Sequence, residues 1–250
     1  MKIHRKFLPL TTVIITLFLV GCTKSEELTP DIPSTQGTQT PTITFSDGYG
    51  VMAAIKTVSY TTVAGYTVPV EVNTAVAAFL STPSGGSLVA AGNVSLNNKM
   101  LTLTSTNAYV YQTLTDPLVF NQFVWNVSGS GAVPAITYTD DKPMADFSGF
   151  SSLPATITKA SGLTISLGTA VTNADSVYVV ISDYSNGYIL KRVAGNAAAC
   201  TFSAAELSIL AAGQGMLQVC PWNYKDEDIN SKKFYFVNEA AYTKTGITIN

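Results

Sequence analysis

A two-residue hydrophobic period, turn clusters between the apolar runs and one short helical signal predict an all-β chain. The plan they suggest is two antiparallel β-sandwiches in tandem, with one short helical turn in the second. From residue 43 on, Val68, Val70 and Val72 alternate with Thr67, Pro69 and Glu71, and Leu101 and Leu103 alternate with Thr102 and Thr104. Phe123, Trp125 and Val127 share one side of a strand, as do Leu163, Ile165 and Leu167. Val, Ile, Thr, Tyr and Phe suit a pleated, half-buried surface. Pro83-Ser84-Gly85-Gly86, Asn97-Asn98, Ser128-Gly129-Ser130-Gly131 and Ser185-Asn186-Gly187 punctuate the runs as turns.

The first element, residues 1–21, is of another kind. Lys2, Arg5 and Lys6 precede an uncharged apolar run from Phe7 to Val20, which ends at Gly21-Cys22. This order is that of a secretory signal peptide. The run has 14 residues, too few for the roughly 20 that cross a bilayer as a helix. Leu19-Val20-Gly21-Cys22 resembles the lipobox of bacterial lipoproteins. That resemblance implies removal of residues 1–21, acylation of Cys22 and attachment to a membrane through it. Residues 22–42 are rich in Thr, Ser, Gln, Pro and Glu, and form a tether that would reach roughly 60 Å when stretched. Lys24-Ser25-Glu26-Glu27 resembles the lysine-plus-acid signal that sends some Gram-negative lipoproteins to the outer face of the outer membrane. A solvated, charged linker reads equally well.

Residues 43–150 hold six to eight short strands and read as the first sandwich. Ser148-Gly149-Phe150-Ser151-Ser152 marks the boundary. Residues 151–250 read as the second, with strands at 155–159, 162–168, 176–183, 188–194, 199–202, 215–223 and 233–249. About seven strands in this span resemble the immunoglobulin-like plan. The Cys-Trp-Cys core of antibody domains is missing, as is a Tyr two residues before Cys220. Ser203-Ala204-Ala205-Glu206 has capping-box spacing and predicts a short helix.

Composition narrows the chemistry. The only histidine is His4, within the predicted signal, so the mature chain has no imidazole for Ser-His-Asp or Cys-His catalysis or for a His-ligated zinc. Arg192 is its one arginine, which argues against clamps on phosphate. Removal of residues 1–21 takes three basic and no acidic residues, leaving 11 basic against 16 acidic and a formal charge of −5. Such a surface repels nucleic acid. No cofactor motif is present.

Among candidate site residues, Tyr184, Tyr188, Trp222 and Tyr224 fall near strand ends, where flat rings stack on sugars or anchor a protein. Asp140, Asp141 and Asp146 form an acidic cluster of the kind that hydrolyses glycosidic bonds without histidine. Asp226-Glu227-Asp228-Ile229-Asn230 starts like a calcium loop but has Ser231 and Val237 where Gly and a carboxylate belong, so a solvated hairpin is expected and no metal site. An oxidising compartment allows a Cys200–Cys220 disulfide, but strand parity puts the two thiols on opposite faces. Asp175-Ser176-Val177 resembles a short O-glycosylation motif of some surface-exporting bacteria.

The resemblance to cell-surface lipoproteins with immunoglobulin-like domains implies a lipid-anchored, non-catalytic binding or adhesion module for a glycan or a protein. Two alternatives are a structural accessory subunit of an outer-membrane complex and a carboxylate-only glycoside hydrolase.

Overall fold

A computed structural model of the chain describes residues 47–250 except 64, 65, 84, 85 and 186, without the side chains of 61–67. The predicted signal, Cys22 and the tether lie outside the described residues, as do parts of the turns at 83–86 and 185–187. The described chain is mostly strand. In order these are β1 (Gly50–Val63), β2 (Tyr66–Phe79), β3 (Val94–Leu96), β4 (Lys99–Met100), β5 (Thr102–Leu103), β6 (Tyr109–Gln112), β7 (Phe123–Val127), β8 (Ile136–Asp140) and β9 (Asp146–Phe147). Then follow β10 (Thr156–Ile157), β11 (Leu163–Ser166), β12 (Val171–Thr172), β13 (Ser176–Ser182), β14 (Tyr188–Ala194), β15 (Ala199–Phe202), the helix α1 (Ala204–Leu207), β16 (Gly213–Ile229) and β17 (Lys232–Ile249).

One long sheet runs in the order β14-β13-β16-β17-β1-β2-β6-β5, and β10 also pairs with β17. Its strands come from both predicted sandwiches. β1 lies parallel to β17, from Gly50 opposite Phe234 to Ser59 opposite Thr243. The expected division near residue 150 therefore does not divide the sheet. The physical reason is strand length. β16 and β17 have 17 and 18 residues, which at about 3.3 Å each extend over roughly 55 Å, twice what one sandwich uses. Polar Lys225–Asp228 reads as a loop in the sequence, yet it stays paired across to Phe236–Lys233. Asn230 and Ser231, both with positive φ, turn the hairpin.

Two apolar cores sit on one face of this sheet. In the first, Met52, Ala54, Phe79, Phe234 and Phe236 are covered by the four-stranded sheet β4-β3-β7-β8 through Leu96, Phe123, Trp125 and Ile136. In the second, Val58, Val179, Leu217, Val219 and Tyr242 are covered by the β11–β15 and β9–β12 pairs and α1 through Ile165, Phe202, Phe147 and Leu207. β1 and β17 thus feed both cores from alternate residues of single strands. The predicted capping box is present: Ser203 Oγ accepts from the Glu206 amide at 3.2 Å, and Glu206 accepts from the Ser203 amide at 2.7 Å.

Between the cores the same face turns polar. Asn238 Nδ2 donates to Asp140 and to Asn223 Oδ1, both at 3.3 Å. Asn223 Nδ2 donates to the carbonyls of Asn173 at 2.7 Å and Pro143 at 3.3 Å. Lys56 Nζ donates to Asp146 at 2.9 Å, and Tyr242 OH donates to the same carboxylate. Asn223, Asn238 and Asp140 are buried, so these bonds offset desolvation that an unpaired group would leave exposed as a cost. The seam fixes the segment 140–147 where the chain passes from one covering layer to the other.

Val68 and Val70 depart from expectation. They are exposed, on the half of β2 that extends beyond its pairing with β6. The alternation there is real, but among the described residues no layer packs on it.

Candidate ligand-binding cleft

The sequence candidates separate in space. Trp222 and Tyr224 lie on the sheet face opposite the two cores. Tyr178 stacks on Trp222 with centroids 5.5 Å apart and planes at 11°, Trp222 meets Tyr224 at 5.7 Å, and Tyr224 meets Tyr235 at 6.2 Å. The Arg192 guanidinium sits 5.6 Å from the Trp222 ring. With 4% of its surface exposed, Trp222 is a packed ring and not an open platform. Arg192 also donates from Nε and Nη2 to Ser176 Oγ at 3.2 and 3.1 Å. Ser176 is buried, which corrects the surface-glycosylation motif at 175–177. Tyr184 and Tyr188 are exposed, at 57% and 65%.

The three aspartates do not converge. Asp140 is buried and accepts from the Lys142 amide and Asn238. Asp141 is exposed and accepts from Gln122. Asp146 is held by Tyr242 and Lys56. Burial raises its carboxyl, but these two hydrogen bonds, the Lys56 charge and the Phe147 backbone together leave it below the ordinary value. Asp140 and Asp146 are anchored on Asn238 and Tyr242, four residues or roughly 13 Å apart along β17. Asp226, Glu227 and Asp228 alternate across an extended strand. Cys200 and Cys220 are free, buried thiols. Cys200 packs in the second core and Cys220 faces the other side of the sheet. Burial pushes the Cys200 thiol up to about 11.

The opening with the chemistry of a binding site lies elsewhere, at the end of β1. The β1–β17 register ends at Ser59 opposite Thr243. One step further, both strands direct a side chain onto the core face, Tyr60 from β1 and Lys244 from β17. The boundary segment 148–152 crosses above them. Its position depends on Gly149, where a Cβ would lie 2.7 Å from the Phe147 ring. The segment then turns at 150–152 and lays Phe150 on Tyr60, with centroids 3.6 Å apart and planes at 18°. Lys244 Nζ donates to the Leu153 carbonyl at 2.5 Å and sits 6.0 Å from the Phe150 ring.

The result is an open cleft of about 540 Å³ lined by Tyr60, Ser148, Phe150, Ser151, Lys244 and Thr245. Its described residues offer a stacked aromatic pair, three aliphatic hydroxyls and one ammonium. Ser148 Oγ donates to the Ala170 carbonyl at 3.3 Å and keeps its lone pairs. Tyr184 is not part of this lining. Burial holds its phenol above the ordinary value, and the backbone of Gly246 offsets only part of that rise.

A second opening of about 530 Å³ lies beside the polar seam, between β2 and the segment 113–121. Its walls include Leu118, Phe120 and Met144, but its ammonium, Lys56, is committed to Asp146.

The sequence reading missed Tyr60 and Lys244. Tyr60 ends an apolar run and Lys244 sits in a polar stretch, so only the parallel β1–β17 pairing brings them together. Phe150 lay in plain view as the lone aromatic of the serine-rich boundary. No protein-family model and no curated protein matches the chain.

Proposed function

We propose that the chain is a non-catalytic glycan-binding module held at the outer membrane by acylated Cys22. The observation that carries the reading is the cleft's lining: a Tyr60–Phe150 stack beside three hydroxyls and Lys244. A sugar ring has an apolar face that rests on an aromatic surface and a hydroxyl rim that needs donors and acceptors. In this proposal the two covered regions are immunoglobulin-like in architecture and share one long sheet. In this reading the tether separates the cleft from the lipid, and the sheet holds its two walls rigid.

The hydrolase reading has less support, because Asp140 and Asp146 are each bound to separate structural partners. The accessory-subunit reading draws on the apolar segment at Leu114 and Val119, exposed at 77% and 60%.

The test is binding of oligosaccharide pools to the mature chain by calorimetry. Tyr60→Ala should weaken binding at least tenfold, and Trp222→Phe should leave it within twofold. Equal effects of the two substitutions, or none from Tyr60→Ala, would remove the cleft from the site.

A further inference from the structure

We propose that this cleft selects an anionic saccharide, one bearing a carboxylate or sulfate, with Lys244 Nζ as the counter-charge. The inference rests on the glycan reading of the same cleft and goes on to name the ligand's charge.

Three observations lead to it. First, among the described residues Lys244 is the one charged group in the lining, and no carboxylate stands there with it. Second, its ammonium is one of four among the nine described lysines with no carboxylate partner. Lys56, Lys99, Lys142, Lys191 and Lys233 each pair with a carboxylate within 4.0 Å. Lys244 donates to a neutral carbonyl, that of Leu153, as Lys159 does to Leu210 and Lys232 to Ala132, but of these three only Lys244 lines the cleft. An ammonium has three N–H donors, so two remain for a ligand. Third, the carbonyl and the nearby Phe150 ring hold this cation beside the aromatic pair rather than letting it swing into solvent.

The physical argument concerns what happens when a ligand covers the cleft. A sugar ring resting on Phe150 strips water from Lys244. A neutral sugar returns only hydroxyl contacts for that lost hydration. A carboxylate or sulfate returns a charge-assisted hydrogen bond, roughly twice as strong. In a protein whose net charge is negative, the cation also draws an anion to a place the remaining surface repels. Lysine acts here as a point charge and does not impose the two-pronged geometry that arginine would. It therefore accepts either anion.

The test is a calorimetric titration of the mature chain with three probes of equal length: an oligouronate, a sulfated oligosaccharide and the neutral parent. At least one acidic probe is expected to bind ten times or more tighter than the neutral one. That ratio should shrink as salt rises. Lys244→Met should bring the ratio to about one, and Lys244→Arg, which keeps the charge, should restore most of it. Whichever acidic probe binds tighter names the anionic group. Equal affinity for acidic and neutral probes, or a ratio that survives Lys244→Met in a variant with an unchanged melting curve, overturns the anionic selectivity while leaving the glycan reading standing. Failure of all three probes to bind overturns both.

Discussion

Glu239 sits where the sequence pattern alone would place an apolar residue. It faces the side of the sheet that carries Trp222, which it opposes on β16, and Ile55, which it opposes on β1. Burial pushes its carboxyl up to about 7. The folded state therefore holds a proton that the unfolded chain, near its ordinary 4.5, has already lost. Stability should fall as pH rises from about 4.5 to about 7 and level off above. The side chain keeps partial contact with water, so the loss is on the order of 2 kcal/mol. Glu239→Gln should flatten this slope and raise the denaturation midpoint at pH 8, as read by urea titrations across the range. An unchanged slope would mean that another group carries it. Asp146 behaves in the opposite sense. Its carboxyl is depressed, so its contribution is present at neutral pH and lost only in acid.

At the scale of elements, local physics was easy to read and distant pairing was not. The strands at 176–182, 188–194 and 199–202 and the capping box at Ser203–Glu206 follow from period and spacing, and all are present. β16 overran its expected end because Lys225–Asp228 are polar on both sides of a strand that needs no core there. The parallel β1–β17 pair joins the two ends of the described chain, and no local pattern encodes it. The cleft inherits that difficulty. Its boundary segment was legible as a serine-rich junction, but its role as a wall was not. Gly149 is the residue on which that wall depends. Gly149→Ala would place a methyl against Phe147 and 3.2 Å from Ala170 Cβ. It should cost about 1–3 kcal/mol, as overpacking does, and displace Phe150 from Tyr60. Thermal unfolding would register the first effect. Loss of glycan affinity beyond that of the wild-type chain at equal folded fraction would register the second.

For the whole molecule, one sheet under two covering layers makes the halves interdependent. Residues 43–150 expressed alone would leave β1 without β17, and residues 151–250 would leave Phe234 and Phe236 without their cover. Neither fragment should show the sharp unfolding transition of the intact chain in calorimetry. Two independent, native-like transitions from the separate fragments would favour the tandem-domain plan. The same interdependence is why the cleft lies where it does. Each half supplies one of the two neighbouring central strands, β1 and β17, and the junction between halves closes over both. Rings chosen for their position near turns, as Trp222 and Tyr224 were, fell instead on a packed face.

The most direct test of the account is an amide hydrogen-exchange footprint of the mature chain saturated with the tightest-binding oligosaccharide. Slowed exchange should appear at residues 59–61, 148–152 and 243–246, three segments joined only by the fold. Protection confined to 220–226, around Trp222 and Tyr224, would contradict the cleft as the binding site.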